Sequence, residues 1–168
     1  LMTGPLLHRN DPSKAPLVGN VKVTRQDWLN AALAVLKQDG VEAVKVIDLA
    51  AAMDVSRSSF YWYFKNRTDL LNALLQHWEV TNTAAMVAQA NAPAATITEA
   101  CCNIFKCNIN AALFDNRLDF AVREWARRSH HVNAVLRAGD KARLSALTQM
   151  FHRFDYPEPE ATARARVI

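Results

Sequence analysis

The sequence predicts an all-α protein. Glycine and proline are scarce, at 4 and 6 of 168 residues, while alanine is abundant, a balance that favours helices over strands. Apolar residues recur three and four apart along most of the chain, the period of helices with a buried face. Thr, Ser and Asn residues of the capping type stand just ahead of several of these runs.

Residues 1–22 contain three prolines and two glycines with no helical period, and read as a mostly extended arm or a disordered tail. Thr24 opens the first helix, with Asp27 placed to reach back as an acidic capping-box partner. Trp28, Ala32, Val35 and Leu36 share one face of it, and Gly40 closes it. A short second helix, VIDLAAAMDV, sets Ile47, Ala50 and Ala51 at helical spacing and stops near Asp54-Val55. Ser56 is the N-cap expected for a third helix from Arg57. Asn66 is the N-cap expected for a fourth, from Arg67 past Trp78, with Leu70, Leu71, Leu74, Leu75 and Trp78 as its apolar face.

Residues 24–66 therefore outline a helix-turn-helix module. Three short helices rarely bury enough surface to stand alone, so the leucines of the fourth are expected to complete the core. Farther along, Pro93 interrupts the chain and Thr96-x-x-Glu99 opens a fifth helix. That segment, ITEACCNIFKCNINAALF, is apolar on several faces and is expected in the middle of a bundle. Leu118, Val122 and Trp125 stripe a sixth helix. Val135, Leu136, Leu144, Leu147, Met150 and Phe151 mark a long seventh, after RRSHH. Pro157 and Pro159 open an eighth, lined by Ala161, Ala165 and Ile168. The ending EATARARVI has no C-cap and reads as a helix cut short or lacking a further segment.

The densest chemistry lies at Phe60 to Phe64, five consecutive aromatics flanked by Arg57, Lys65 and Arg67. Phe60 and Phe64, four apart, share a helix face and are assigned to the core. Tyr61, Trp62 and Tyr63 point elsewhere, together with Arg57, Ser58 and Ser59. Hydroxyls that donate to phosphates and an arginine that contacts phosphate or guanine suit a DNA groove. Residue type alone leaves Tyr61 and Tyr63 evenly divided between DNA contact and packing. Lys65 and Arg67 are placed to clamp the backbone, beside the N-terminal dipole of the fourth helix. Arg9, Lys14 and Lys22 of the arm are further candidates for phosphate or minor groove.

Net charge is +4, with 8 Lys/Arg against 6 Asp/Glu in residues 1–66 and 12 against 10 in 67–168. That balance suits an anionic partner without demonstrating one. No apolar run is long enough to span a membrane, and no secretory h-region opens the chain. Three irregularly spaced cysteines make no disulfide framework, which points to a reducing cytoplasm. Hydrolase elbow, phosphate-binding glycine loop and zinc-deaminase signature are all missing, so no catalytic residue, cofactor or metal is expected. Adjacent Cys101 and Cys102 cannot both face one metal on a helix, and with Cys107 they read as small hydrophobes. His130 and His131 read as capping or solvent-facing residues at a helix junction.

The head resembles the DNA-binding domain of the tetracycline-repressor (TetR) family. The family typically has a glycine after helix one, an IA step in helix two, and a GVS-x-GT-L-Y-x-H/Y-F-x-x-K-x-x-L signature. Gly40, Leu49-Ala50 and DVSRSSFYWYFKNRTDL stand here in the same register, over roughly residues 24–75. Val55, Ser56, Tyr61, Tyr63, Phe64 and Leu70 match. Ser58 replaces the usual glycine, Ile47 a commonly polar residue, and Arg67 the usual lysine, with its charge retained. Lys45 replaces a residue that caps helix two and touches phosphate; lysine can keep the phosphate contact but not the cap. REWARRSHH, with Glu124 for an aspartate, also looks like the second domain of one subgroup.

The resemblance implies a homodimeric, cytoplasmic transcriptional regulator, usually a repressor, on near-palindromic operator DNA. An extended arm (1–22), a DNA-binding domain (23–66) and a ligand-binding and dimerisation domain (67–168) follow from this reading. Within the last, Asn108 is placed on the Ile104/Cys101 side of the fifth helix, where a buried amide needs a ligand or backbone partner. An internal pocket for a small, largely apolar effector is expected among Cys101, Phe105, Asn108, Phe120 and Trp125. Alternatives are cysteine oxidation as the signal, or a helical enzyme or carrier whose head does not bind DNA.

Overall fold

The computed structural model describes residues 22–168; the arm expected over 1–22, including Arg9 and Lys14, lies outside them except for Lys22, which is exposed. All regular structure among the described residues is helical. The order is α1 (Arg25–Asp39), a 3-10 turn (Val41–Ala43), α2 (Val46–Ala52), a 3-10 helix (Arg57–Trp62) and α3 (Arg67–Trp78). A π turn (Glu79–Thr83) carries α3 directly into α4 (Ala84–Ala90). After them come α5 (Ile97–Ile109), α6 (Asn116–Ala126), α7 (His130–His152) and α8 (Glu158–Ala165).

The helix starts follow local chemistry. Asp27 N donates to Thr24 Oγ1 at 3.2 Å and Thr24 N donates to Asp27 Oδ2 at 2.7 Å, a complete capping box. Asn66 caps α3 through Asp69 N at 2.9 Å, and Thr96 caps α5 through Glu99 N at 3.2 Å. Gly40 ends α1 at φ 83°, a left-handed backbone that glycine adopts without a Cβ clash.

Two buried clusters hold the helices together. The first joins Trp28, Leu36, Phe60, Phe64, Leu70, Leu74 and Trp78 to Leu118, Val122, Trp125, Val132 and Leu136. The α3 leucines complete the small head, as expected, and α6 and the start of α7 extend the same core. Ala90, Ala100, Ile104, Leu147, Met150, Phe151, Ala161 and Ala165 form the second. α7 runs through both. Where it crosses α3, a Cβ on Gly139 would lie 2.9 Å from Trp78 Cη2, so glycine permits the close approach.

A polar hub lies at that crossing. Trp78 Nε1 donates to Asp119 Oδ1 at 2.8 Å, and Arg143 Nη2 donates to the same oxygen at 2.9 Å. Arg123 Nε reaches Asp119 Oδ2 at 2.9 Å, and its two terminal nitrogens grip Asp140 at 2.9 and 2.7 Å. The buried Arg143 guanidinium also lies over the rings of Trp78 and Phe114, at 5.0 and 5.1 Å. One turn away, Asn82 in the π turn exchanges two hydrogen bonds with the backbone of Asp115. The Asp115 carboxylate pairs with Lys37 of α1 at 2.9 Å. α6 is thus pinned to α1, α3 and α7 by polar contacts as well as by its apolar stripe.

The fifth helix differs from expectation. It ends at Ile109 and buries one face only, Ala100, Asn103, Ile104 and Cys107. Cys102, Phe105 and Ile109 face outward, so α5 is an edge helix of the described bundle rather than its centre. Cys107 fixes the phase, and Asn108, one residue on and about 100° round the helix, faces solvent.

Candidate nucleic-acid interface

Residues 57–62 form a 3-10 helix instead of the expected α-helix, and Ser56 makes no capping bond to a backbone N–H. Competing hydroxyls account for this: Ser56 Oγ shares a hydrogen bond with Ser58 Oγ at 2.9 Å, and Ser59 Oγ donates to Ser56 O at 2.7 Å. The turn into this segment passes through Asp54 at φ 53°, a left-handed position that aspartate tolerates better than most residues. Phe60 and Phe64 anchor the segment. Both are buried, stacked on each other at 5.3 Å, and Phe60 meets Trp28 edge-on at 5.2 Å.

That anchoring decides which side chains face outward. Lys45, Arg57, Ser58, Tyr61, Trp62 and Lys65 are exposed, Trp62 to 78% and Tyr61 to 54%. Lys45 occupies the N-cap position of α2 without capping it. Three other residues assigned to the DNA face are half-buried with polar atoms engaged inside the head. Ser59 donates to Ser56, and Tyr63 Oη donates to Val23 O at 2.9 Å, which ties the chain entering α1 to the end of the 3-10 helix. Arg67 Nε donates to Val44 O at 2.6 Å and Nη2 to Val41 O at 2.7 Å. It therefore satisfies carbonyls around the 3-10 turn, and two of its three guanidinium nitrogens bracket α3 to the segment before α2.

Residues 29–74, from α1 to the third turn of α3, match the family described as bacterial regulatory proteins, tetR family. The head is a tetR-family domain. Over 51 residues the chain is 39% identical to a "Probable acrEF/envCD operon repressor" of Escherichia coli (strain K12), covering 30% of this chain and 23% of the relative. Over 60 residues it is 35% identical to the "HTH-type transcriptional regulator AcrR" of Shigella flexneri, covering 36% and 26%. The chain thus matches about a quarter of the length of these relatives, and the similarity is confined to the tetR-family head and its flank.

Outside that head, the five residues assigned to an internal pocket do not converge. Asn108 is exposed, Phe105 and Phe120 are mostly exposed, Trp125 is buried and Cys101 half-buried. Phe120 and Trp125 border an open groove of about 520 Å³ between the end of α1 and α6, with Leu36, Gly40 and Val41 opposite. Cys101 lines a separate open groove of about 560 Å³ with Ile97, Phe151, Tyr156, Ala163 and Val167. The buried amide of α5 is Asn103, whose Oδ1 accepts from Lys106 Nζ at 2.7 Å. Its place between Ala100 and Cys107 on the packed face would have identified it. His130 and His131 are exposed in the first turn of α7. Among the described residues no three His, Cys, Asp or Glu side chains are grouped to hold a metal ion. No described helix is long and apolar enough to cross a membrane.

Proposed function

We propose that this chain is a DNA-binding transcriptional repressor, acting as a homodimer on a near-palindromic operator. The tetR-family head carries the reading, because its outward face presents Lys45, Arg57, Trp62 and Lys65 while its phenylalanines are locked inside. Cations contact phosphates and side chains on the 3-10 segment contact base edges. The head, residues 23–66, reads DNA; residues 67–168 receive the signal and assemble the dimer. A small, largely apolar effector suits the groove between α5, α7 and α8, and acts by favouring one spacing of the two heads. Repression follows the similarity to operon repressors, and the chain is read as non-enzymatic and cytoplasmic on the same ground. Cysteine oxidation is the weaker signal: burial pushes the Cys101 and Cys107 thiols up, away from the reactive thiolate.

Selection of bound duplexes from random DNA tests the reading. A near-palindromic sequence is expected to emerge, with affinity falling steeply as salt rises, by a logarithmic slope of roughly 0.9 for each phosphate contacted. Enrichment of no sequence, or binding indifferent to salt, would refute it.

Arg67→Ala distinguishes the bracket from a phosphate clamp. It leaves Val44 O without a donor, while Val41 O keeps the Val44 backbone N–H, and is expected to destabilise the chain by about 1–3 kcal/mol. The salt slope of operator binding is expected to stay unchanged, where loss of a phosphate contact would lower it by about 1. Urea denaturation and a salt titration of the same variant read both.

A further inference from the structure

Ile47 is the one large aliphatic side chain on the outward face of the head's turn that is mostly exposed, at 60%. Leu49 and Ala50 turn the opposite face of α2 into the core, so Ile47 and Ala51, four apart, point outward together. Trp62 stands exposed on the 3-10 helix that packs against α2. Lys45, Arg57 and Lys65 of the same module are exposed cations.

Several polar groups that would otherwise read bases are engaged elsewhere. Ser59, Tyr63 and Arg67 direct their donors to carbonyls within the head. The cations fix register on the phosphates but carry no sequence information there. Arg57, Ser58 and Tyr61 remain as exposed polar groups, and Ile47, Ala51 and Trp62 are the apolar ones beside them in the module. The major groove offers one apolar mark, the 5-methyl group of thymine. From this, and resting on the DNA-binding reading above, we infer that Ile47 selects thymine by packing on its 5-methyl group, with Trp62 as a second apolar contact.

The test uses the whole chain and the duplex recovered by selection from random DNA. Each thymine is replaced singly by deoxyuridine, which removes the methyl group and leaves base pairing intact. One position per half-site is expected to lose roughly fourfold in affinity, the worth of one buried methyl. Ile47→Ala should bind the thymine duplex that much more weakly, and should no longer distinguish it from the deoxyuridine duplex at that position. Ile47 is exposed, so thermal unfolding of the variant should match the parent and exclude misfolding as the cause. If every deoxyuridine duplex binds like its parent, or if Ile47→Ala keeps the full discrimination, the inference falls while the DNA-binding reading stands. If selection enriches no duplex at all, the DNA-binding reading itself falls, and this inference with it.

Discussion

Asp119→Ala is expected to lower the stability of the chain by about 3–5 kcal/mol, because it removes the close carboxylate of the buried Arg143 guanidinium and leaves it only Asp140, at 3.8 Å. The loss has three parts. Arg143, already lacking an acceptor at Nε, loses its close ion pair. Trp78 Nε1, inside the core, loses its only acceptor in the hub. Arg123 keeps Asp140 but no longer ties α6 to itself. Asp119→Asn retains the shape and an acceptor for Trp78, so it should cost less than the alanine variant. Chemical denaturation followed by circular dichroism measures both, and a change below 1 kcal/mol for Asp119→Ala would show that the hub does not hold the bundle.

The same group gives a pH dependence. Burial alone pushes the Asp119 carboxyl up, but the Arg143 hydrogen bond and charge, the Trp78 indole N–H and the Arg123 charge outweigh it and hold the carboxyl below its usual range. A carboxyl lowered in the folded state stabilises it above the unfolded value, about 3.9, and that contribution is lost as pH falls through the lower folded value. The parent should therefore lose this part of its stability in acid, and the difference between parent and Asp119→Ala should shrink there.

Features set by neighbours within four residues were legible in the sequence. Thr24, Asn66 and Thr96 cap their helices through residues three places on, and those bonds need nothing from the rest of the fold. Phe60 and Phe64 were legible from spacing for the same reason. Arg67 was not, because its acceptors, Val41 and Val44, are more than twenty residues away and only the folded head brings them close. Ser56 had the right residue type, but two nearby serines compete for the same local bonds. Asn108 was misplaced by phase: Cys101, Ile104 and Asn108 form a plausible stripe, but packing selected the stripe one residue earlier. The hub was missed although it left a signal. Asp119 follows Leu118 and precedes Val122 on the buried side of α6, and a charge in that position requires partners.

Phe60→Ala and Trp62→Ala, two residues apart, should have opposite consequences. Phe60 is fully buried between Trp28 and Phe64, and its truncation should cost about 3–5 kcal/mol. Backbone bonding offers little to offset that, because the segment is a short 3-10 helix whose hydrogen bonds are poorer than those of an α-helix. The core around Phe60 continues into α6 and α7, so the loss should lower one cooperative transition rather than melt the head alone. DNA binding should fall with it, since Arg57 and Trp62 are held in place by this ring. Trp62 is 78% exposed, and its replacement should change stability by no more than about 0.5 kcal/mol while weakening operator binding and altering the selected sequence. Thermal unfolding and operator titration of the two variants separate the roles. If Trp62→Ala unfolds the chain as Phe60→Ala does, Trp62 belongs to the packing and the reading face must be sought elsewhere on the head.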